Sequence, residues 1–334
     1  MKNKIIYFST LMLVIFIFIF LKNKFVNVPM LLNEKETNVN FDDGFTIGSW
    51  LWKSPDELSS QDVQELLSYS KKEKINTLYV DFTKYLDIIE DQNPELKQEK
   101  LLKFNQSVVL LLSEAKKYNI SIEALAGNPK WASSDDSYLP PLLLNYVLNF
   151  NKNNPTLQID GLQFDIEYYN QKGYKDSKKD YNSDFLKLVK TLSENVKVYV
   201  DNSNKNFKLG FAIPYWFDSA NADYILNPLF DILNLSKHSY VAVMAYRNYA
   251  EGEGGTLNII SNELKYTNEK AQNVSIIVGQ ETNILDSKNT SFFGKTKQDL
   301  KKTANSIIES SKSYNSFKGI AIHDFYGFKN LKDN

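Results

Sequence analysis

The residues best suited to chemistry lie in one octapeptide, residues 160–167, which reads DGLQFDIE. Successive side chains of a strand point to opposite faces, so the apolar residues of this segment share one face and Gln163, Asp165 and Glu167 share the other. Burying an unpaired carboxylate is very costly, and we therefore expect the polar face to open into a site. Two neighbouring carboxylates also raise the pKa of at least one of them, which suits a general acid.

Short apolar runs recur along the chain and predict the elements that position this octapeptide. The eight predicted strands cover residues 45–52, 75–82, 120–127, 159–167, 207–214, 239–246, 274–281 and 318–325. Apolar residues recur at helical steps of three and four over residues 60–72, 101–118, 182–196 and 297–310. This alternation predicts an α/β fold, a (β/α)8 TIM barrel. A doubly wound sheet would more often carry a Gly-rich phosphate-binding turn after its first strand, and the sequence has none there.

Aromatic residues mark the predicted active face of the barrel. In (β/α)8 enzymes the active site lies at the C-terminal ends of the strands. All four tryptophans fall at such ends, namely Trp50, Trp52, Trp131 and Trp216. Flat aromatic faces bind the apolar faces of sugar rings, so the set predicts a carbohydrate cleft, although core packing is the ordinary role of any single tryptophan.

The octapeptide resembles the DGxDxDxE signature on the fourth strand of family 18 glycoside hydrolases, which are chitinases and endo-N-acetylglucosaminidases. The resemblance continues downstream in the same order. Residues 210–214 (GFAIP) and 243–246 (VMAY) are similar to the fifth and sixth strands of that family, and residues 277–279 and 319–322 suit the seventh and eighth.

The resemblance implies roles for three residues. Glu167 protonates the leaving glycosidic oxygen, Asp165 orients and charge-stabilises a nucleophilic N-acetyl group of the substrate, and Tyr246 hydrogen-bonds that group. The implied mechanism is substrate-assisted and retaining. On the residues alone, an ionised Asp165 two positions away would keep Glu167 protonated near neutrality. The ordinary alternative is that the two acids belong to a structural ion-pair network inside the barrel.

Three positions depart from the family pattern. Gln163 stands where the family has an aspartate that shares a proton with the next one. Arg247 follows Tyr246 where the family has an aspartate, and His323 replaces the tryptophan that forms the floor of the −1 sugar pocket. We therefore expect a distant relative with a different sugar preference and not a true chitinase.

Glu281 offers a second catalytic arrangement. It ends the predicted seventh strand, and retaining glycosidases of another barrel clan place an acid after strand four and a nucleophilic glutamate after strand seven. Glu167 and Glu281 fit those places, and the distance between them would decide between retention, inversion and a binding role for Glu281. An exposed loop acid or a helix cap is the ordinary alternative.

Metal and cofactor chemistry has little support in the composition. The chain has 2 histidines and no cysteine, which disfavours a zinc site, and no cofactor is expected. An oxygen-ligated Ca²⁺ or Mg²⁺ site stays open. His238 is expected to be structural, whereas His323 and Asp324 lie at the catalytic end of the eighth strand.

The N-terminus predicts attachment to a membrane. Lys2 and Lys4 precede an apolar run over residues 5–21, and lysines follow at once. We expect a signal anchor over residues 1–24, a linker over residues 25–43 and an extracytoplasmic catalytic domain over residues 44–334, with a cleaved signal peptide and secretion as the alternative. With 39 Lys and Arg against 40 Asp and Glu, nothing predicts a nucleic-acid partner.

These patterns together predict a glycoside hydrolase that cleaves a surface or cell-wall polysaccharide with Glu167 as the acid. The predicted substrate-binding residues are Trp50, Trp52, Trp131, Gln163, Trp216, Arg247, His323 and Asp324. A non-catalytic carbohydrate-binding protein on the same barrel is the alternative, although a lectin does not need a proton donor beside Asp165. An anchored scaffold protein would leave the acids and tryptophans unexplained.

Overall fold

The structure is a computed structural model that describes Phe41 and residues 44–133, 135–203 and 205–333. Its eight strands are all parallel and close into a barrel in sequence order. The strands are β1 (Thr46–Leu51), β2 (Thr77–Asp81), β3 (Ser121–Ala126), β4 (Gly161–Phe164), β5 (Lys208–Pro214), β6 (Ser239–Met244), β7 (Val274–Glu281) and β8 (Phe317–His323). The predicted TIM barrel is confirmed, and every predicted strand overlaps an observed one.

Helices follow the strands and cover the outside of the barrel. They are α1 (Ser60–Lys72), α2 (Thr83–Ile89), α3 (Pro94–Tyr118), α4 (Leu139–Asn153), α5 (Lys178–Ser203), α6 (Leu226–Leu233), α7 (Thr256–Ile259), α8 (Ser261–Glu269), α9 (Lys297–Ser311) and α10 (Phe325–Asn330). Helix α1 shows why the sequence folds this way. Ser59 accepts a hydrogen bond from the backbone N–H of Asp62 at its N-terminus, and Val63, Leu66 and Leu67 are buried at helical spacing.

The inside of the barrel is packed with side chains. Its apolar part consists of Trp50, Tyr79, Leu125, Tyr240, Ala242, Ile277 and Ala321. The larger core lies between the strands and the helices, where the alternate residues of each strand point. Both faces of the parallel strands are therefore buried, which explains their nearly continuous apolar sequences.

A chain of polar side chains, here called the axial network, crosses the barrel interior. The indole N–H of Trp50 donates to Gln163 Oε1, and Gln163 Nε2 donates to the Tyr240 hydroxyl at 3.0 Å. Tyr240 donates to Glu123 Oε2 at 2.6 Å, and Lys208 Nζ bonds Glu123 Oε1 at 2.8 Å. Each side chain of the axial network thus has a polar partner, as groups removed from water require.

The first residues of the octapeptide have structural roles at the N-terminal end of the barrel. Asp160 Oδ2 accepts from Ser121 Oγ at 2.7 Å and from the backbone N–H of Ile122 at 3.0 Å, which ties β4 to β3. A Cβ on Gly161 would lie 2.7 Å from the backbone oxygen of Lys208 and 2.9 Å from Glu123 Oε2. The close approach of the neighbouring strands therefore requires glycine here.

The predicted anchor and nearly all of the predicted linker lie outside the described residues. Phe41, which the prediction places in the linker, is only 2% exposed and belongs to the core between strands and helices. The packed domain thus includes at least one residue that was expected to be linker. Among the helices in the described ranges, none combines the length and the apolar character needed to cross a membrane.

Candidate active site

The end of β4 places two carboxylates at the C-terminal face of the barrel. The strand ends at Phe164, but the backbone N–H of Asp165 still donates to the Ala126 oxygen at 2.9 Å, so the register with β3 continues one residue further. Gly127 permits this contact, because a Cβ at that position would overlap the backbone oxygen of Asp165. Asp165 and Glu167 are both half-buried at the rim of the barrel.

Hydrogen bonds from the following turn orient Glu167. Its Oε1 accepts from the Tyr169 hydroxyl at 2.8 Å, and its Oε2 accepts from Asn170 Nδ2 at 2.9 Å. Burial, together with the charge and hydrogen bond of Glu167, raises the pKa of Tyr169, which therefore remains a donor. The carboxyl group is held in one orientation by two residues that sequence reasoning did not single out.

Asp165 lies in a more apolar setting than Glu167. Its Oδ1 is buried and has no hydrogen-bond partner in the part of the chain that the structure describes. Burial and the negative charge of Glu167 raise the pKa of Asp165 to about 7, and the charge of His323 acts in the opposite direction. The sequence predicts a raised pKa for at least one of the two carboxylates, and Asp165 has one. The role of Glu167 as the acid stays a prediction.

Tyr246 faces the acids from the end of β6. Burial and the charges of Glu281, Asp165 and Glu167 raise its pKa well above 10, so its hydroxyl is a hydrogen-bond donor at neutral pH. Its ring stacks on the His323 ring with centroids 6.0 Å apart and planes 29° apart. The structure thus brings together all four residues that were predicted as catalytic: Asp165, Glu167, Tyr246 and Glu281.

Glu281 and His323 form a carboxylate–imidazole pair at the ends of β7 and β8. Glu281 Oε2 lies 2.8 Å from His323 Nδ1, and its Oε1 accepts from the backbone N–H groups of Thr282 and Asn283 at 2.8 and 2.7 Å. Glu281 is 3% exposed, and both oxygens have partners. This placement favours an orienting role for Glu281, and its role as a nucleophile stays a prediction.

The pKa of His323 reflects opposing influences. Burial lowers it, but the hydrogen bond and charge of Glu281 and the charges of Asp324 and Asp165 outweigh burial, and the net shift is upward from 6.5. The indole N–H of Trp52 donates to His323 Nε2 at 2.9 Å. Because Nε2 accepts this hydrogen bond, it carries a lone pair. The proton of the neutral ring therefore lies on Nδ1 and points to Glu281.

The four tryptophans divide into two pairs. Trp52 is 39% exposed, and Trp216 is half-buried with its ring edge-on to Tyr169 at 4.9 Å between centroids. Trp50 and Trp131 are each 2% exposed. Trp50 lies inside the barrel, and Trp131 packs against Phe164 in the outer core. The prediction is therefore corrected for Trp50 and Trp131, because neither presents a ring face to a ligand.

Three other predicted substrate contacts are engaged within the protein. Gln163 is fully buried in the axial network, one layer below Asp165, so it is not a substrate contact. Arg247 donates from Nε to the Gly254 oxygen at 2.9 Å and from Nη1 to the Tyr246 oxygen at 2.7 Å, which holds the loop after β6. Asp324 caps α10 by accepting from the Gly327 N–H at 2.7 Å.

Sequence reasoning missed Tyr169 and Asn170 as site residues. Both belong to the short 3-10 turn Tyr168–Asn170 directly after β4, in a segment rich in tyrosine. Their position one turn beyond the acid was the available signal. As for metals, no group of three or more potential His, Cys, Asp or Glu ligands occurs within the described ranges.

No protein-family profile matches this sequence, and no curated protein matches it. A family 18 glycoside hydrolase (GH18) chitinase from Pseudoalteromonas aurantia aligns with a TM-score of 0.53 at 13% identity, covering 84% of this chain and 94% of that chain. The chain shares its fold with a family 18 chitinase. The resemblance stated from the octapeptide is thereby confirmed at the level of the fold.

Two further solved structures align over a similar length. ICChI chitinase from Ipomoea carnea is 14% identical, with 85% of this chain and 96% of that chain covered and a TM-score of 0.48. The xylanase and α-amylase inhibitor protein XAIP-II from Scadoxus multiflorus is 13% identical, with 85% and 94% covered and a TM-score of 0.46.

Proposed function

We propose that this protein is a glycoside hydrolase in which Glu167 protonates the leaving glycosidic oxygen. One observation carries the proposal: Glu167, Asp165 and Tyr246 converge at the C-terminal face of the barrel, where (β/α)8 enzymes have their active sites. Tyr169 and Asn170 hold the Glu167 carboxyl group in place, as a proton donor requires.

Aromatic residues support a polysaccharide as the substrate. Trp52 follows β1 and Trp216 follows β5, and strands β1 and β5 lie across the closed barrel from each other. Trp52 bonds His323 Nε2, and Trp216 packs against Tyr169, which bonds Glu167, so both rings adjoin the candidate site. An extended glycan that stacks on both tryptophans would pass over Glu167.

A non-catalytic carbohydrate-binding protein is the second candidate. The observation in its favour is that both Glu167 oxygens accept hydrogen bonds within the chain and that Gln163 replaces an acid of the resembled signature. The same two tryptophans would then bind the glycan without cleavage.

The location is proposed from the sequence. Lys2 and Lys4 before the apolar run at residues 5–21 support a membrane anchor with the barrel outside the cytoplasm. A reporter fused after Asn334 would be active outside the cell, and a reporter signal from the cytoplasm would contradict the proposal.

The catalytic proposal is tested on the full chain in detergent with Glu167→Gln. We expect wild type to release reducing ends from at least one glycan in a panel of bacterial exopolysaccharides, N-acetylated glycans and glycans that lack acetamido groups. Loss of a general acid should lower kcat by about 10²- to 10⁴-fold and leave binding in place.

The matched control is Glu253→Gln, which makes the same chemical change at an exposed position in the loop after β6. It should retain full activity. Binding by wild type and both variants without cleavage by any would favour the carbohydrate-binding alternative, and equal turnover by Glu167→Gln would remove the assignment of the acid.

A further inference from the structure

The Glu281–His323 pair has no part in the mechanism that the resemblance implies. We propose that His323 is the general base that takes a proton from the attacking water, and that Glu281 orients its ring. Cleavage would then invert the anomeric configuration and would not require a 2-acetamido group on the substrate. This inference rests on the proposed function, because it needs Glu167 as the acid.

The hydrogen bond from His323 to Glu281 leaves Nε2 as the basic nitrogen of the ring. Its Nδ1–H points to Glu281 Oε2 at 2.8 Å, and Glu281 is itself fixed by the backbone N–H groups of Thr282 and Asn283. The remaining nitrogen, Nε2, therefore carries a lone pair. A buried carboxylate behind an imidazole fixes the tautomer and stabilises the imidazolium once it forms.

The basic nitrogen belongs to a partly exposed side chain and accepts from a partly exposed residue. The His323 side chain is 26% exposed, and the residue that occupies Nε2 is Trp52, whose own side chain is 39% exposed. Tyr246 stacks on one face of the imidazole, and Trp50 contacts it edge-on at 5.8 Å between centroids. Movement of Trp52 alone would free Nε2 while the ring stays in place.

Asp165 is poorly suited to the role that the resemblance implies for it. Charge stabilisation of an N-acetyl nucleophile needs an ionised aspartate, and burial together with the charge of Glu167 disfavours the ionised form of Asp165. Its Oδ1 has no partner among the described residues, and Gln163 below it is bound to Trp50 and Tyr240. The proton-sharing arrangement of the resembled signature is therefore not reproduced.

The proposed step balances in protons and electrons. The water oxygen attacks the anomeric carbon with its electron pair, the bond to the leaving oxygen breaks, and Glu167 gives its proton to that oxygen. The water proton passes to His323 Nε2, and the imidazolium formed is paired with Glu281. Solvent returns the proton from His323 to Glu167 before the next turnover.

The charged and titratable groups that face His323 are Glu281 on β7, Asp165 after β4, Tyr246 after β6 and Asp324 next to it in the chain. A base must be neutral to act. We therefore expect kcat/KM to fall as the pH decreases through the His323 pKa, which these carboxylates hold above its usual 6.5.

The test uses His323→Asn in the full chain with the glycan that wild type cleaves fastest in the panel above. Asparagine keeps a donor toward Glu281 but cannot act as the base, so kcat should fall by about 10²- to 10⁴-fold with a small change in KM. Azide needs no deprotonation and should restore turnover by forming a glycosyl azide of inverted configuration. The matched control is His238→Asn, an exposed histidine before β6, which should be fully active.

Glu281→Gln supplies a readout that a structural role would not change. Removing the negative charge should lower the imidazole pKa and move the acid limb of the kcat/KM profile to lower pH. The anomeric configuration of the first product, followed by proton NMR, should be opposite to that of the cleaved bond.

The outcomes separate this inference from the proposed function. A retained configuration, full activity of His323→Asn or an unmoved acid limb in Glu281→Gln would overturn the role of His323 while Glu167→Gln stays inactive. Absence of cleavage by wild type, or full activity of Glu167→Gln, would overturn the proposed function and this inference with it.

Discussion

Asp165 and Glu263 are acidic residues of this barrel whose pKa values burial raises. Asp165 lies in the candidate active site, whereas Glu263 in α8 has no evident chemical role. Glu263 is fully buried, and neither carboxylate oxygen has a hydrogen-bond partner among the described residues. Burial raises its pKa to about 8, and the charge of Asp218 adds to this shift.

The raised pKa gives a stability prediction. Because the folded state holds this proton more tightly than the unfolded state, with a pKa of about 8 against 4.5, the stability present below pH 4.5 is lost as the pH rises toward 8. Glu263→Gln carries no charge and should therefore raise the free energy of unfolding by about 1–3 kcal/mol at pH 8 and by less at pH 5.

Urea denaturation of wild type and Glu263→Gln at the two pH values measures the difference. Glu269→Gln, an exposed glutamate at the end of the same helix, is the control and should leave the pH dependence unchanged. An equal effect of Glu263→Gln at pH 5 and pH 8 would mean that the carboxyl group is not protonated in the folded state.

At the scale of the element, the octapeptide divides into a structural half and a chemical half. Asp160 and Gly161 serve the packing of β4 between its neighbours at the N-terminal end of the barrel. Asp165 and Glu167 extend beyond the last residue of the strand at the other end. The strand of four residues, Gly161–Phe164, thus connects the structural contacts of Asp160 to the candidate active site.

The division predicts that a change in the first half affects stability and leaves chemistry intact. Asp160→Ala removes the acceptor of the Ser121 hydroxyl and of the Ile122 N–H, and should lower the free energy of unfolding by about 1–2 kcal/mol. Asp160→Asn keeps an acceptor and should lose less. Denaturation together with kcat measures both effects, and a fall in kcat at full folding would place Asp160 in the site after all.

Element by element, the sequence predicts the barrel well, because period-two and period-3.6 patterns depend only on which faces are buried. Side-chain direction at the rim depends on contacts between distant segments and is not encoded in those patterns. Trp131 and Trp216 both follow a strand, yet one turns toward Phe164 in the core and the other toward Tyr169 beside the acid. Gln163 shares a face with Asp165, but it lies deeper in the barrel, where side chains from other strands bury it.

At the scale of the whole molecule, the proposed glycan path joins Trp52 after β1 to Trp216 after β5. Trp52 bonds His323 Nε2, and Trp216 packs against Tyr169, which bonds Glu167. Trp131 follows β3 but faces the core. Two of the four tryptophans, Trp52 and Trp216, are therefore exposed enough to contact the proposed glycan.

This arrangement predicts different effects for two tryptophan substitutions. Trp216→Ala should weaken binding of the glycan by about 1 kcal/mol, or roughly fivefold in Kd, because a stacking surface is lost. Trp131→Phe should lower the melting temperature and leave Kd unchanged. Isothermal titration calorimetry with Glu167→Gln as the background prevents cleavage during the measurement, and an equal loss of affinity in both variants would contradict the assignment of the cleft.

The axial network limits which residues can replace Gln163. Gln163 donates to Tyr240 and accepts from Trp50. Tyr240 donates to Glu123, which also accepts from Lys208. An aspartate in place of Gln163 alone would shorten the side chain and bring a second carboxylate into the buried interior near Glu123. The signature that the octapeptide resembles could thus be built into this barrel only together with changes at Trp50, Tyr240 or Glu123, because Gln163 is coupled to all three.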